Sequence, residues 1–121
     1  TGGFGLFFLR GSRDGDPAAM FYAHGAVKLP TGTRLTAGGW WASSGYAGPG
    51  AVAGGLFGLE QTITSNLTVA ADWYTGNNSL GYVTPGVFVT AGRWVLYAGY
   101  SIKNGNSKGN GLSLELGFNV P

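Results

Sequence analysis

The chain has 121 residues, 24 of them glycine and none cysteine, with 14% aromatic and only 10% charged side chains and a formal net charge of +2. That length fits a single domain over 1–121, and the lack of cysteine excludes a disulfide framework and thiolate metal sites. The seven Lys and Arg residues are scattered, so no basic stripe points to nucleic acid, and no run of about 18 apolar residues offers a transmembrane helix.

Period-two alternation predicts eight strands, and helical spacing is absent. They run from Gly3 to Arg10, Ala18 to Leu29, Arg34 to Ser44, Ala51 to Thr62, Leu67 to Thr75, Leu80 to Ala91, Trp94 to Lys103 and Gly111 to Val120. Strand two sets Phe21, Ala23, Gly25, Val27 and Leu29 against Met20, Tyr22, His24, Ala26 and Lys28. Strand three sets Leu35, Ala37, Gly39 and Trp41 against Arg34, Thr36, Gly38 and Trp40. Strands five, six and eight alternate as cleanly, and Pro85 in strand six predicts a locally open pairing. Strands one, four and seven carry apolar residues on both faces.

The connections alternate in length. "GSRDGDP", "GYAGPG", "GNNS" and "NGNSKGN" are long, whereas "PTG", "TSN" and "GR" are near the minimum for a hairpin. In an up-and-down meander all long loops then share one rim, and the short turns share the other with both termini. Strands of about ten residues tilted by ~45° climb roughly 25 Å, the height of an outer-membrane apolar band.

His24, Lys28, Arg34, Glu60, Asp72 and Glu115 fall on one set of strand faces, and the opposite faces carry no charge. A soluble barrel would turn the charged faces to water, yet they hold about one charge per strand, far below the ~25% charged residues of ordinary soluble domains. Lipid outside and a sparsely charged lumen inside accounts for the pattern better. The expected fold is all-β: an eight-stranded antiparallel up-and-down transmembrane β-barrel. Gly38, Gly54, Gly86, Gly99 and Gly117 are expected to ease its curvature beside Tyr and Trp rings.

"GLEQTITSNLTVAADWYTGNNSLGYVTPGVFVTAGRWVLYAGYSI" followed by "LSLELGF" resembles the C-terminal half of bacterial outer-membrane β-barrel proteins, over roughly Gly55 to Phe118. The resemblance implies a barrel in the bacterial outer membrane. It implies no activity, since small barrels serve as anchors, adhesins, enzymes and narrow pores. This chain runs past the usual terminal aromatic to Asn119, Val120 and Pro121.

Candidate chemistry is sparse. His24 is the single histidine, and no serine is placed to form a nucleophile–base pair with it. Asp14 and Asp16 lack the further ligands of a calcium loop, so no metal, cofactor or catalytic residue is assigned. Trp41, Trp73 and Phe118 are expected in a lipid-facing girdle, with Trp40 pointing inward. His24, Lys28, Arg34, Glu60, Asp72 and Glu115 are expected to form a lumen network. In it Arg34 pairs with Glu60, and Lys28 or His24 reaches Asp72 or Glu115, with Tyr22, Tyr82 and Tyr97 as donors.

The expected partners are outer-membrane lipid or detergent, with lipopolysaccharide phosphates at Arg10, Arg13, Lys103 and Lys108, around a monomer. The expected role is structural, anchoring or narrow-pore. The alternatives are a soluble β-barrel binding a small hydrophobic ligand and a fragment of a larger porin-like barrel.

Overall fold

A computed structural model describes residues 1–9, 18–105 and 109–120, without the side chains of 7–9. The described residues form eight strands and one short helix. The strands are β1 (Gly2–Leu9), β2 (Ala18–Lys28), β3 (Thr33–Ala42), β4 (Ala53–Thr64), β5 (Leu67–Tyr74), β6 (Tyr82–Ala91), β7 (Trp94–Lys103) and β8 (Gly111–Phe118), with α1 (Ser44–Ala47) between β3 and β4. Alternating side chains explain the strands: a period of two gives each strand one apolar and one mixed face. All eight predicted strands match these bounds to within two residues at each end. Gly32 and Gly92 take positive φ of 79° and 61° in the tight turns before β3 and β7, a backbone conformation that favours glycine.

Each strand pairs antiparallel with its sequence neighbour in a single curled, half-barrel sheet of order β1 to β8. The connections after β2, β4 and β6 are short and lie at one rim. Those carrying α1 and residues 75–81 lie at the other. One expectation is corrected here: among the described residues β1 and β8 do not pair, so the eight-stranded sheet is open. The alternation in sequence fixes which face is apolar but contains nothing that specifies how strongly the sheet curls.

The register is strongly staggered. A row of opposed residues starts at Gly2, the first residue of β1, and runs through Gly25, Ala37, Phe57, Trp73 and Val83 to Ile102. Ile102 is the next-to-last residue of β7. With the starts of β1 and β7 level at one rim, this is a climb of roughly 26 Å across roughly 29 Å of sheet, a strand tilt of about 40°. Barrel walls have this tilt; flat soluble sheets need none.

Pro85 behaves as its missing N–H requires. The β6–β7 ladder holds one register on both sides but lacks the pairs at Thr84 and Pro85. The Thr84 and Ser101 hydroxyls bridge this opening at 3.0 Å. The β4–β5 ladder shifts between Thr62 and Thr64.

Candidate functional site

The two faces of the sheet differ in chemistry along their whole width. On the convex face the opposed pairs include Phe21–Trp41, Val27–Leu35, Leu35–Leu59, Phe57–Trp73, Val69–Val87, Val89–Leu96 and Leu96–Leu116. Most of these side chains are exposed. No charged strand residue lies on this face among the described residues; the turn residue Arg93 reaches it only at the short-turn rim. Aromatic residues form two bands on it: Phe21, Trp41, Phe57 and Trp73 toward the long-loop rim, Trp94 and Phe118 at the short-turn rim. The Trp73 indole N–H donates to Asn104 Oδ1 at 3.2 Å, so its polar edge meets the loops. Trp94 and Phe118 pack with ring centroids 4.7 Å apart, and the Arg93 guanidinium lies 4.9 Å from the Phe118 centroid.

The concave face holds every charged strand residue that the structure describes: Lys28, Arg34, Glu60, Asp72, Lys103 and Glu115, with His24 among them. The expected ion pair is present, Arg34 Nη1 to Glu60 Oε1 at 3.3 Å. It forms because the register sets Arg34 opposite Glu60. The expected links from Lys28 or His24 to the carboxylates are not seen: among the described residues neither bonds to Asp72 or Glu115. His24 instead stacks on Tyr22, ring centroids 6.1 Å apart and planes at 11°, and its Nδ1 is buried without a partner. Tyr97 lies against Phe88, centroids 4.7 Å apart. The open sheet explains this: side chains expected to meet across a closed lumen have no facing wall.

Glycines make room for the inward rings. A Cβ at Gly86 or Gly99 would stand 2.5 or 2.2 Å from Tyr97 atoms, and one at Gly54 would stand 2.9 Å from Trp40. The same expectation fails at Gly117, where a Cβ would meet only Val95 at ordinary contact distance. Gly38 is tighter still, because there the obstacle is backbone, the Ala23 carbonyl oxygen at 2.2 Å.

Three cavities lie along the concave trough. One of 280 Å³ is lined by Tyr22, His24, Arg34, Glu60, Asp72 and Tyr74 among others. A second of 430 Å³ lies under α1 between Met20, Tyr46, Leu80 and Ser101. The third, of 330 Å³, holds Asp72, Tyr82, Tyr97 and Glu115. Hydroxyls, rings and carboxylates of this kind hydrogen-bond water and polar solutes. Among the described residues no group of three His, Cys, Asp or Glu side chains is close enough to hold a metal ion.

At the long-loop end one side of the trough carries a plug that sequence reading missed. Met20, Trp40, Ala42, Ala47 and Leu56 form the buried cluster, with Tyr22, Tyr46, Tyr74 and Leu80 packed against it. The Trp40 indole N–H donates to the Gly55 carbonyl at 3.1 Å. Buried Asn78 ties the loops together: its amide donates to the Ala51 carbonyl, and its Oδ1 accepts from Leu80 N–H at 2.9 Å. Asn104 donates to the Tyr74 and Gly76 carbonyls, both at 2.8 Å. The available signal was the inward parity of Met20, Trp40 and Leu56 near one rim, with Tyr46 and Leu80 in the adjoining loops.

Trp41, Trp73 and Phe118 stand on the convex face, each close to half exposed, and Trp40 is inward and buried. Of the four basic residues considered for lipopolysaccharide, Arg10, Arg13 and Lys108 lie outside the described residues, as do Asp14 and Asp16. Lys103 ends β7 at the long-loop rim, opposite Tyr82. No protein-family model matches the chain, and comparison with curated proteins and with solved structures finds no match.

Proposed function

We propose that this sheet is the wall of a bacterial outer-membrane β-barrel, its convex face against lipid and its concave trough lining the lumen. One observation carries the reading: the exposed convex face is predominantly apolar and no described strand residue on it is charged, while the charged strand residues gather on the other face. Soluble monomers rarely expose a contiguous apolar patch of more than a few hundred Å². A lipid environment turns this face from a liability into the stabilising surface, at roughly 25 cal/mol per Å² removed from water. The strand tilt of about 40° and the two aromatic bands agree with barrel practice. The role that follows is structural, anchoring or pore-forming.

A soluble barrel around a hydrophobic ligand is disfavoured, since Asp72, Glu115 and Glu60 line the trough that would have to hold it. A second membrane reading, part of a larger porin-like wall, is favoured by the unpaired edges of β1 and β8. Phase partition tests the common claim. The folded chain is expected in the detergent-rich phase and in lipid vesicles resistant to alkaline extraction; recovery in the aqueous phase as a folded monomer would overturn it.

A further inference from the structure

We infer that two copies of this chain close one barrel, β8 of each pairing with β1 of the other around a two-fold axis along the lumen. The inference rests on the lipid-wall reading for its surroundings and goes beyond it in naming the partner. Its first support is the edges. Edge strands are ordinarily blunted by proline, lysine, a bulge or a covering loop. Neither Gly2–Leu9 (GGFGLFFL) nor Gly111–Phe118 (GLSLELGF) contains proline or lysine. The one charge, Glu115, points into the trough rather than along the edge. Both strands have eight residues, and the aliphatic and aromatic side chains along their convex middle are more exposed than those of the interior strands: Phe4 81%, Leu6 69%, Leu114 65% and Leu116 68%.

Direction supplies the second support. In a meander with an even number of strands the first and last run oppositely. β8 of one copy and β1 of another therefore continue the antiparallel order while both long-loop ends stay on one side of the membrane. The contact is head-to-tail, yet it closes after two copies because each sheet is half a barrel.

The trough supplies the third. An eight-stranded barrel is just wide enough for its side chains to fill. Here the middle of the concave face is unfilled: the buried cluster is confined to the long-loop end, and cavities of 280 and 330 Å³ remain around Asp72. The lumen is incomplete without a facing wall. Sixteen strands leave an aqueous channel, in which Asp72 and Glu115 stay hydrated and need no buried partner.

Carrying the same strand tilt through the junction sets Leu116 of one copy opposite Leu6 of the next. The chain has no cysteine of its own, so the full-length double variant Leu6→Cys with Leu116→Cys, refolded into lipid vesicles and mildly oxidised, reads the junction. The expected product is a covalent species of twice the chain mass, formed also on mixing the two single variants and not by either alone. The pair Leu35→Cys with Leu59→Cys, opposed within β3 and β4, reports in parallel that the sheet has formed. A monomer with an internal disulfide, meaning self-closure by eight strands, overturns the inference. So does the absence of any edge disulfide when the reference pair links. Formation of the dimer by a chain whose Trp41 is shielded from lipid would instead leave the edge pairing standing and remove the lipid-wall reading.

Discussion

Trp40 and Trp41 are consecutive residues of β3 with opposite surroundings: Trp40 is 3% exposed, held in the plug with its indole N–H on the Gly55 carbonyl at 3.1 Å, while Trp41 is 49% exposed on the convex face. Removing the first leaves a cavity and takes one of two donors from the Gly55 carbonyl, which still accepts from Thr75 N–H at 3.0 Å. Trp40→Ala is therefore expected to cost about 3–5 kcal/mol, and Trp41→Ala less, because it forfeits only apolar contact with detergent at roughly 25 cal/mol per Å² and opens no cavity. Urea unfolding in detergent micelles measures both; equal costs would mean that the plug does not form.

The Arg34–Glu60 pair is expected to be weak. Its side chains are 37% and 38% exposed, and pairs this open to solvent contribute about 0–1 kcal/mol, screened by salt. A double-mutant cycle with Arg34→Met and Glu60→Gln should give a coupling below about 1 kcal/mol that shrinks between low and high salt. A coupling of several kcal/mol, insensitive to salt, would require a dry lumen.

Glu115 carries the matching prediction. A filled eight-stranded lumen would make Glu115→Leu strongly destabilising, at about 3–5 kcal/mol for a broken buried pair. In the open trough Glu115 is exposed and has no ion-pair partner among the described residues. The substitution should change stability by no more than about 0.5 kcal/mol. Thermal unfolding in detergent decides between the two.

Gly38→Ala is expected to destabilise by about 1–3 kcal/mol, the usual cost of overpacking, because its new Cβ would meet the Ala23 carbonyl oxygen at 2.2 Å and His24 Cα at 2.7 Å. Gly25, on the same pair of strands, has nothing within 4 Å of such a Cβ. Gly25→Ala should be neutral or slightly stabilising through the unfolded chain. A reversed order in denaturant midpoints would mean that the β2–β3 register is wrong.

The short-turn rim was legible in the sequence because glycine, proline and loop length specify tight turns locally. The facial pattern was legible because alternation is a one-strand property: the Trp40/Trp41 and Asp72/Trp73 orientations follow from parity alone. What parity leaves out is anything set between distant strands. The α1 turn and the Asn78 anchor depend on loops meeting over the trough, and the four-residue helix is too short to leave a periodic signal. Sheet closure depends on curvature, which no residue of β1 or β8 announces, so the network expected between His24 or Lys28 and the carboxylates presupposed a wall that is not there.

The account stands on lipid meeting the convex face, and single-tryptophan variants in vesicles with bromine-labelled acyl chains test it most directly. Chains retaining only Trp41 or only Trp73, the remaining tryptophans replaced by phenylalanine, should lose most of their fluorescence to the bromines, while the chain retaining only Trp40 should keep most of its own. Equal quenching of Trp40 and Trp41, or none of either, would contradict a lipid-facing convex surface.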